Sequence, residues 1–269
     1  MNILINYLYE HYPFTTASYY EMAARRSKDH TVFRNNNFDP ENIDVVLNIE
    51  PVGKIIKLPN VPSVYYEIDN HVIRGVDRHF YDKVDLVLLA QNKFKDFYSD
   101  YKTDFLPLAC WPNMHKRYHD EPQTFDIGFI GNDTYPWRRQ LLEALEKKFR
   151  VLRTTSKPGE EFSRLLNRCK LTFNCAMHDD VNMRFFEAIA SGRMLLTDYL
   201  PEQDQFATAG KHYVAYRDEN ELIEKVSHYL RNDAEREKIA KAGLIHIHGT
   251  HNYNKRLNEF LCKVKNLKS

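Results

Sequence analysis

The chain has 269 residues, 43% of them hydrophobic and 28% charged, which is ordinary for a folded protein and long enough for one large or two modest domains. The net charge of +1 decides neither for nor against a nucleic-acid partner. No apolar run approaches the roughly 20 residues that cross a bilayer, so a transmembrane segment is not expected.

Residues 2–9 read as a buried strand rather than a signal peptide, because the run is short and has no basic flank or cleavage pattern. A loop through His11, Thr15 and Thr16 leads to a helix over 18–26. Apolar runs at 43–49, 55–58, 64–68, 84–90 and 105–109 read as strands, with a short helix at 92–98. Near-continuous Val/Ile/Leu runs separated by helical spacers predict a parallel sheet covered on both faces. Residues 110–124, with Pro112 and Pro122, are the best linker. The pattern then restarts: strands at 125–130, 149–154, 171–175, 194–197 and 213–216 alternate with helices at 138–148, 160–168 and one opening near Asn182. Helices follow at 220–230 and 234–246, where Ala242 and Gly243 could interrupt. A last helix begins at 251, with Tyr253, Leu257, Phe260, Leu261 and Val264 on one face. That face suits core packing better than a membrane surface or nucleic acid. The expectation is two consecutive α/β domains with a cleft between them.

Residues 1–122 carry 14 Lys+Arg against 17 Asp+Glu, and the remainder 24 against 20. The second half is therefore mildly basic, as suits either a domain holding a phosphorylated ligand or a solvated surface. The four cysteines show no CxxC spacing. They read as reduced thiols of a cytoplasmic protein, with no metal site implied. His178 beside Asp179 has no third ligand at a suitable spacing.

The most informative stretch is 174–198, NCAMHDDVNMRFFEAIASGRMLLTD: strand end, acidic loop, helix, Ser-Gly stop, strand. In open α/β sheets the carboxyl ends of the strands are where ligands sit. A helix starting near Asn182 offers free backbone N–H groups to an anion, with Arg184 in its first turn. Glu187, three residues on, could accept hydrogen bonds from a vicinal diol such as a ribose. The same pattern also suits Asp179 or Asp180 as a helix cap and Arg184–Glu187 as a surface ion pair. At the first strand of the second half, Gly131-Asn132 permits close approach, and Arg138-Arg139 follow in a helix. Tyr135 and Trp137 are stacking candidates or packing residues. In the first half, the loop Asp69-Asn70-His71 follows a strand, and Asp69 and His71 are candidates for contact with a sugar or acceptor, with His79 and His11 as alternatives.

Asp179-x7-Glu187, followed by Ala188, Ser191-Gly192 and an apolar strand, resembles the Glu-x7-Glu signature of retaining glycosyltransferases of the GT-B fold. The phrases DVNMR (180–184), FEAIA (186–190) and LLTD (195–198) are similar to those of the CgeB-like, spore-maturation branch of the group 1 glycosyltransferases. So are Tyr216-Arg217-Asp218, the tail Ala242-Gly243…His251-Asn252-Tyr253 and, upstream, Leu106-Pro107-Leu108-Ala109 and DIGFIGN (126–132).

The resemblance implies two Rossmann-like parallel-sheet domains facing a cleft. Residues 1–115 would be the acceptor side, 120–250 would bind a nucleotide diphosphate sugar, and the helix over 251–266 would pack back on the first domain. Glu187 would hold the ribose, and Asp179 would lie near the donor sugar as a catalytic candidate with Asp69 and His71. The backbone at Val181, Asn182 and Met183 would face the diphosphate, with Arg184, Gly131, Asn132 and one of Arg138 and Arg139 nearby. Transfer would retain anomeric configuration and need no metal or other cofactor. The acceptor could be a glycan, a protein or another hydroxyl, with modified DNA less favoured because the first half carries net negative charge. A non-catalytic nucleotide-sugar-binding module is the alternative. Three positions depart from the family pattern: Asp179 replaces Glu, Asn182 replaces Gly and Arg184 replaces Pro.

Overall fold

The computed structural model describes residues 1–7, 15–34, 38–49, 54–69, 78–155 and 159–268. The first stretch contains β1 (Asn2–Asn6), α1 (Thr16–Arg26), β2 (Thr31–Arg34), β3 (Val45–Ile49), β4 (Ser63–Glu67), β5 (Leu86–Leu89) and β6 (Thr103–Phe105). The second contains β7 (Phe125–Ile130), α2 (Pro136–Glu146), β8 (Val151–Thr154), α3 (Glu160–Asn167), β9 (Cys169–Phe173), α4 (Met183–Ala190), β10 (Met194–Asp198), β11 (Val214–Tyr216), α5 (Glu219–Arg231) and α6 (Asp233–Thr250). The helix α7 (Tyr253–Lys268) follows. The chain divides into two compact units, Met1–Leu108 with Tyr253–Ser269, and Ala109–Asn252.

The sheet of unit 1 runs β2-β1-β3-β4-β5-β6 and that of unit 2 runs β11-β10-β9-β7-β8. All described pairings are parallel. Counted from each unit's own first strand, both share the doubly wound order 2-1-3-4-5, so strand order reverses between β1 and β3 and again between β7 and β9. Those switch points are where such sheets bind ligands, at the carboxyl ends of the strands. The runs VVLNI of β3 and LVLL of β5 are buried throughout, as a sheet covered on both faces requires.

Several expectations are corrected. Residues 31–34 form an edge strand that hydrophobic pattern does not announce, because only Val32 of its four residues is buried. Residues 55–58 are not a strand. The side chain of Asn48 takes both backbone groups of Ile56, accepting from its N–H at 2.9 Å and donating to its carbonyl at 3.2 Å. The run 105–109 leaves the ladder at Phe105. Beyond it, the Leu106 carbonyl accepts from the Tyr66 hydroxyl and the Pro107 carbonyl from Arg256 Nε. Residues 92–98 form a 3-10 rather than an α-helix. Residues 110–124 are no loose linker, since Cys110, Trp111, His115 and Tyr118 are buried in unit 2. Asn167 fastens this segment by accepting from Tyr118 N and donating to the Lys116 carbonyl, both at 3.1 Å.

Gly243 does not interrupt α6, which runs unbroken through it. The glycine is a contact point, because a Cβ there would lie 2.2 Å from the His212 carbonyl oxygen. In α7 the buried hydrophobic residues are Tyr253, Leu257, Phe260, Leu261 and Val264. They pack on α1, where Tyr20 meets Tyr253 and Phe260 edge-on at centroid distances of 5.4 and 6.2 Å. Arg256 Nε donates to the Pro107 carbonyl, and Lys263 pairs with Asp104 at 2.6 Å.

Candidate functional site

The switch point of unit 2 is spanned by two arginines. Arg184 Nε donates to the Ile130 carbonyl at the end of β7 at 2.7 Å, and its Nη1 donates to Asn174 Oδ1, just after β9, at 3.1 Å. Arg138 Nε donates to the Cys175 carbonyl at 3.0 Å, and its Nη1 donates to the Asn132 carbonyl at 2.6 Å. Both guanidinium groups lie over the Phe129 ring, 4.9 Å from its centroid for Arg184 and 5.7 Å for Arg138. Cation–π attraction and backbone carbonyls hold them there. None of these bonds goes to a carboxylate. Burial, reinforced by the like charge of Arg138, pushes Arg184 down to about 10.

Gly131 makes this arrangement possible. Its φ is +153°, and a Cβ on it would lie 2.0 Å from Nη2 of Arg184. Asn132 turns the chain away by accepting from Thr134 N. Arg139 is exposed and donates to the Asp133 carbonyl. Trp137 is exposed, and the Tyr135 ring lies 5.8 Å from that of His178.

The loop from β9 into α4 is tightly specified. The Asp198 carboxylate accepts from Ala176 N with both oxygens, at 2.9 and 3.0 Å. Buried Asp180 accepts from Met177 N at 2.7 Å. His178 and Asp179 follow one another at φ 56° and 60°, a left-handed pair at the exposed tip. Such backbone is uncommon outside glycine, although His and Asp tolerate it better than most residues. The helix cap is neither aspartate. Asn182 caps α4, accepting from Phe185 N at 3.2 Å with an ordinary extended backbone of φ −70° and ψ 168°. The departure from Gly at this position is thereby accounted for by a capping side chain. Val181 is buried, and Met183 opens the helix half-buried.

Glu187 is 8% exposed on the second turn of α4. Arg184 attracts it through space without forming an ion pair with it, and the group within ion-pair distance is His115, whose Nε2 lies 3.3 Å from Oε1. His115 Nδ1 accepts from Trp111 N at 3.0 Å. The proton therefore sits on Nε2, the ring nitrogen nearest Glu187. Burial lowers His115 to about 3 and raises Glu187 to about 7.

In unit 1, Asp69 is exposed just beyond β4. His71, Asn70 and His11 lie outside the described residues, as does the side chain of His79. Near Asp69, Glu67 is buried at the carboxyl end of β4 and accepts from the Tyr81 hydroxyl at 2.7 Å. Burial raises it to about 7, with Asp69 adding repulsion. Sequence reasoning missed Glu67, His115 and Asn174. A carboxylate ending an otherwise apolar strand is a signal for Glu67, and an amide just after a strand is one for Asn174. His115 has none, because its partner lies 72 residues away in the sequence.

Residues 113–262, more than half of the chain, match the profile of the glycosyl transferase-like family. The chain belongs to this family. The architecture of this glycosyltransferase, two Rossmann-like parallel-sheet units, is the GT-B fold. An alpha-glucosyltransferase solved with UDP and a 13-mer DNA containing an HMU base matches with a TM-score of 0.73 at 9% identity, over 98% of this chain and 99% of that one. A sucrose-phosphate synthase from Thermosynechococcus elongatus matches with a TM-score of 0.67 at 8% identity, over 99% of both chains. Anabaena HepE in complex with UDP and glucose matches with a TM-score of 0.64 at 11% identity, over 98% of this chain and 100% of that one. Comparison with curated protein sequences finds no match. Among the described residues no helix is long and apolar enough to cross a membrane.

Proposed function

We propose that this glycosyltransferase takes its sugar from a nucleotide diphosphate sugar bound to unit 2 and passes it to an acceptor hydroxyl. The observation that carries the reading is the pair of guanidinium groups across the β7–β9 switch point. Arg138 lies in the first turn of α2 and Arg184 in the first turn of α4. Helix dipoles disfavour cations at that end, and the two cations repel each other, so an anion placed there relieves both. Glycosyl transfer from such a donor releases a diphosphate. Preorganised positive charge lowers the barrier by stabilising that leaving group as it forms.

In this reading Arg184 and Arg138 face the diphosphate together with the backbone of Val181, Asn182 and Met183. Gly131 and Asn132 leave room for it, and Glu187 binds the ribose hydroxyls. Asp179, raised on its left-handed turn, reaches the donor sugar, and Asp69 and His71 of unit 1 serve the acceptor side. UDP is the nucleotide named in the complexes of HepE and the alpha-glucosyltransferase, so a UDP-sugar is the proposed donor. Transfer retains anomeric configuration. The two guanidinium groups and the α4 N-terminus supply the countercharge, so turnover persists in EDTA.

Titration calorimetry with UDP and uridine tests the reading. UDP should bind far more tightly than uridine. Arg184→Met should weaken UDP roughly tenfold to hundredfold, the loss expected for charge-assisted hydrogen bonds, and leave uridine unaffected. Equal affinity of the wild-type protein for UDP and uridine would overturn it.

A further inference from the structure

We infer that His115 is a positioning residue for the donor: as a neutral Nε2–H donor it fixes Oε1 of Glu187 and turns the rest of that carboxylate toward the ribose hydroxyls. The inference rests on the reading of Glu187 as the ribose-binding acid, and it adds a residue from outside the helix that carries the motif.

The geometry is closed from both sides. His115 N donates to the Trp111 carbonyl at 2.9 Å, and Trp111 N donates back to His115 Nδ1 at 3.0 Å. The turn at 111–115 therefore fixes both the place of the imidazole and its tautomer. His248 Nε2 on α6 holds the His115 carbonyl at 2.7 Å, and the Phe162 ring of α3 stands edge-on to the imidazole at 5.9 Å. The ring is fully buried. With Nδ1 taken by Trp111 N, the protonated Nε2 lies 3.3 Å from Oε1 of Glu187.

The neutrality of the ring decides what the pair can do. A cation at this position would cancel the charge of Glu187 and weaken it as an acceptor. A neutral donor orients the carboxylate and leaves its negative charge intact. Burial raises the carboxyl to about 7 and holds the imidazole down at about 3, so the pair carries one negative charge at most. Two vicinal hydroxyls donating to the carboxylate are the groups that would favour its ionised form. A nucleotide lacking one of those hydroxyls forfeits part of that gain. The pair is thus a device for preferring ribonucleotides over 2′-deoxyribonucleotides.

The test compares UDP with 2′-deoxy-UDP by calorimetry on the full chain. The wild-type protein should prefer UDP by roughly tenfold, the value of one hydrogen bond to a charged group. His115→Leu should reduce the preference to within about threefold and raise KM for the donor more than it lowers kcat. His115→Gln, whose amide can donate, should restore part of it. A folded His115→Leu protein that keeps the full preference would overturn the inference. If Glu187→Gln keeps the preference too, the ribose reading of Glu187 fails with it; if only Glu187→Gln loses it, that reading stands and the role of His115 falls. A second measurement needs no variant. Nitrogen-15 imidazole shifts of the native protein should report His115 as the neutral Nε2–H tautomer from pH 5 to 8. A protonated ring, or a proton on Nδ1, would overturn the inference.

Discussion

Glu187 and His115 oppose each other in their effect on stability. The carboxyl is raised from 4.5 to about 7 and the imidazole lowered from 6.5 to about 3, both chiefly by burial. Between pH 4.5 and 7 the folded protein keeps a proton on Glu187 that the unfolded chain has lost. The contribution of Glu187 is therefore fully present below pH 4.5 and disappears as pH rises through 7. Glu67, also raised to about 7, acts in the same direction. His115 acts the other way, since its contribution holds above pH 6.5 and is lost as pH falls toward 3. Glu187→Gln should stabilise the ligand-free protein increasingly from pH 5 to 8, by at most about 1.4 kcal/mol per pH unit, the slope for one proton. Thermal melts across that range check this. UDP binding should weaken in the wild-type protein as pH falls below 7 and should lose that dependence in Glu187→Gln. Gly131→Ala drives a methyl into the Arg184 guanidinium. It should weaken UDP roughly tenfold and cost about 1 kcal/mol or more from the backbone angle; calorimetry and chemical denaturation read the two effects separately. Spacing singled out Asp179, Arg184 and Glu187 as candidates, because one loop and one helix carry all three. Nothing local to residues 111–115 could reveal His115, whose chemistry comes from an acid on another element.

The helix α4 shows how several short-range choices agree. Phe185, Phe186 and Ile189 are buried, while Asn182 closes its first turn. Asn182→Ala should cost about 1 kcal/mol, the usual value of an N-cap, and should loosen the first turn of the helix. Hydrogen exchange at Phe185 N is the measurement. Its neighbour α6 yields a prediction of opposite sign to helix propensity. Replacing a mid-helix glycine by alanine ordinarily stabilises by about 1 kcal/mol. Gly243→Ala should instead destabilise by about 1–3 kcal/mol, because the methyl would meet a backbone carbonyl at 2.2 Å and Ile189 of α4 at 2.7 Å. A gain in stability would show that the 208–212 loop yields. The sequence reading went astray where an element's hydrogen bonds are completed from far away. Residues 55–58 are held by the Asn48 amide, and 106–107 by Tyr66 and Arg256.

Two units with the same strand order carry different chemistry at corresponding switch points. In unit 1, Asn6 donates to Asn48 Oδ1 at 2.7 Å and the pair is neutral. In unit 2 the place between the strands is taken by two arginines. Unit 1 is also discontinuous in sequence, since α7 supplies Tyr253 and Phe260 to the aromatic cluster around Tyr20. Each large aromatic buried there is worth about 1.5–3 kcal/mol. Truncation after Asn252 should therefore strip exchange protection from β1, β3 and β4 while the core strands of unit 2 keep theirs. Equal protection in both units would show that α7 is dispensable to unit 1.

The alternation of apolar runs and helices was enough to determine a parallel α/β chain, and acid-x7-Glu between two strands carried a resemblance to glycosyltransferases, the family to which the match over residues 113–262 assigns the chain. Both are local signals, set by side-chain period and by residues within two turns of each other. Tertiary structure alone decided that Arg138 and Arg184 meet over Phe129, that His115 lies against Glu187, and that residues 110–124 are core rather than tether. Each of these depends on a chain crossing that brings distant residues within hydrogen-bond reach, where burial gives their charges and protons an energy that no local pattern encodes.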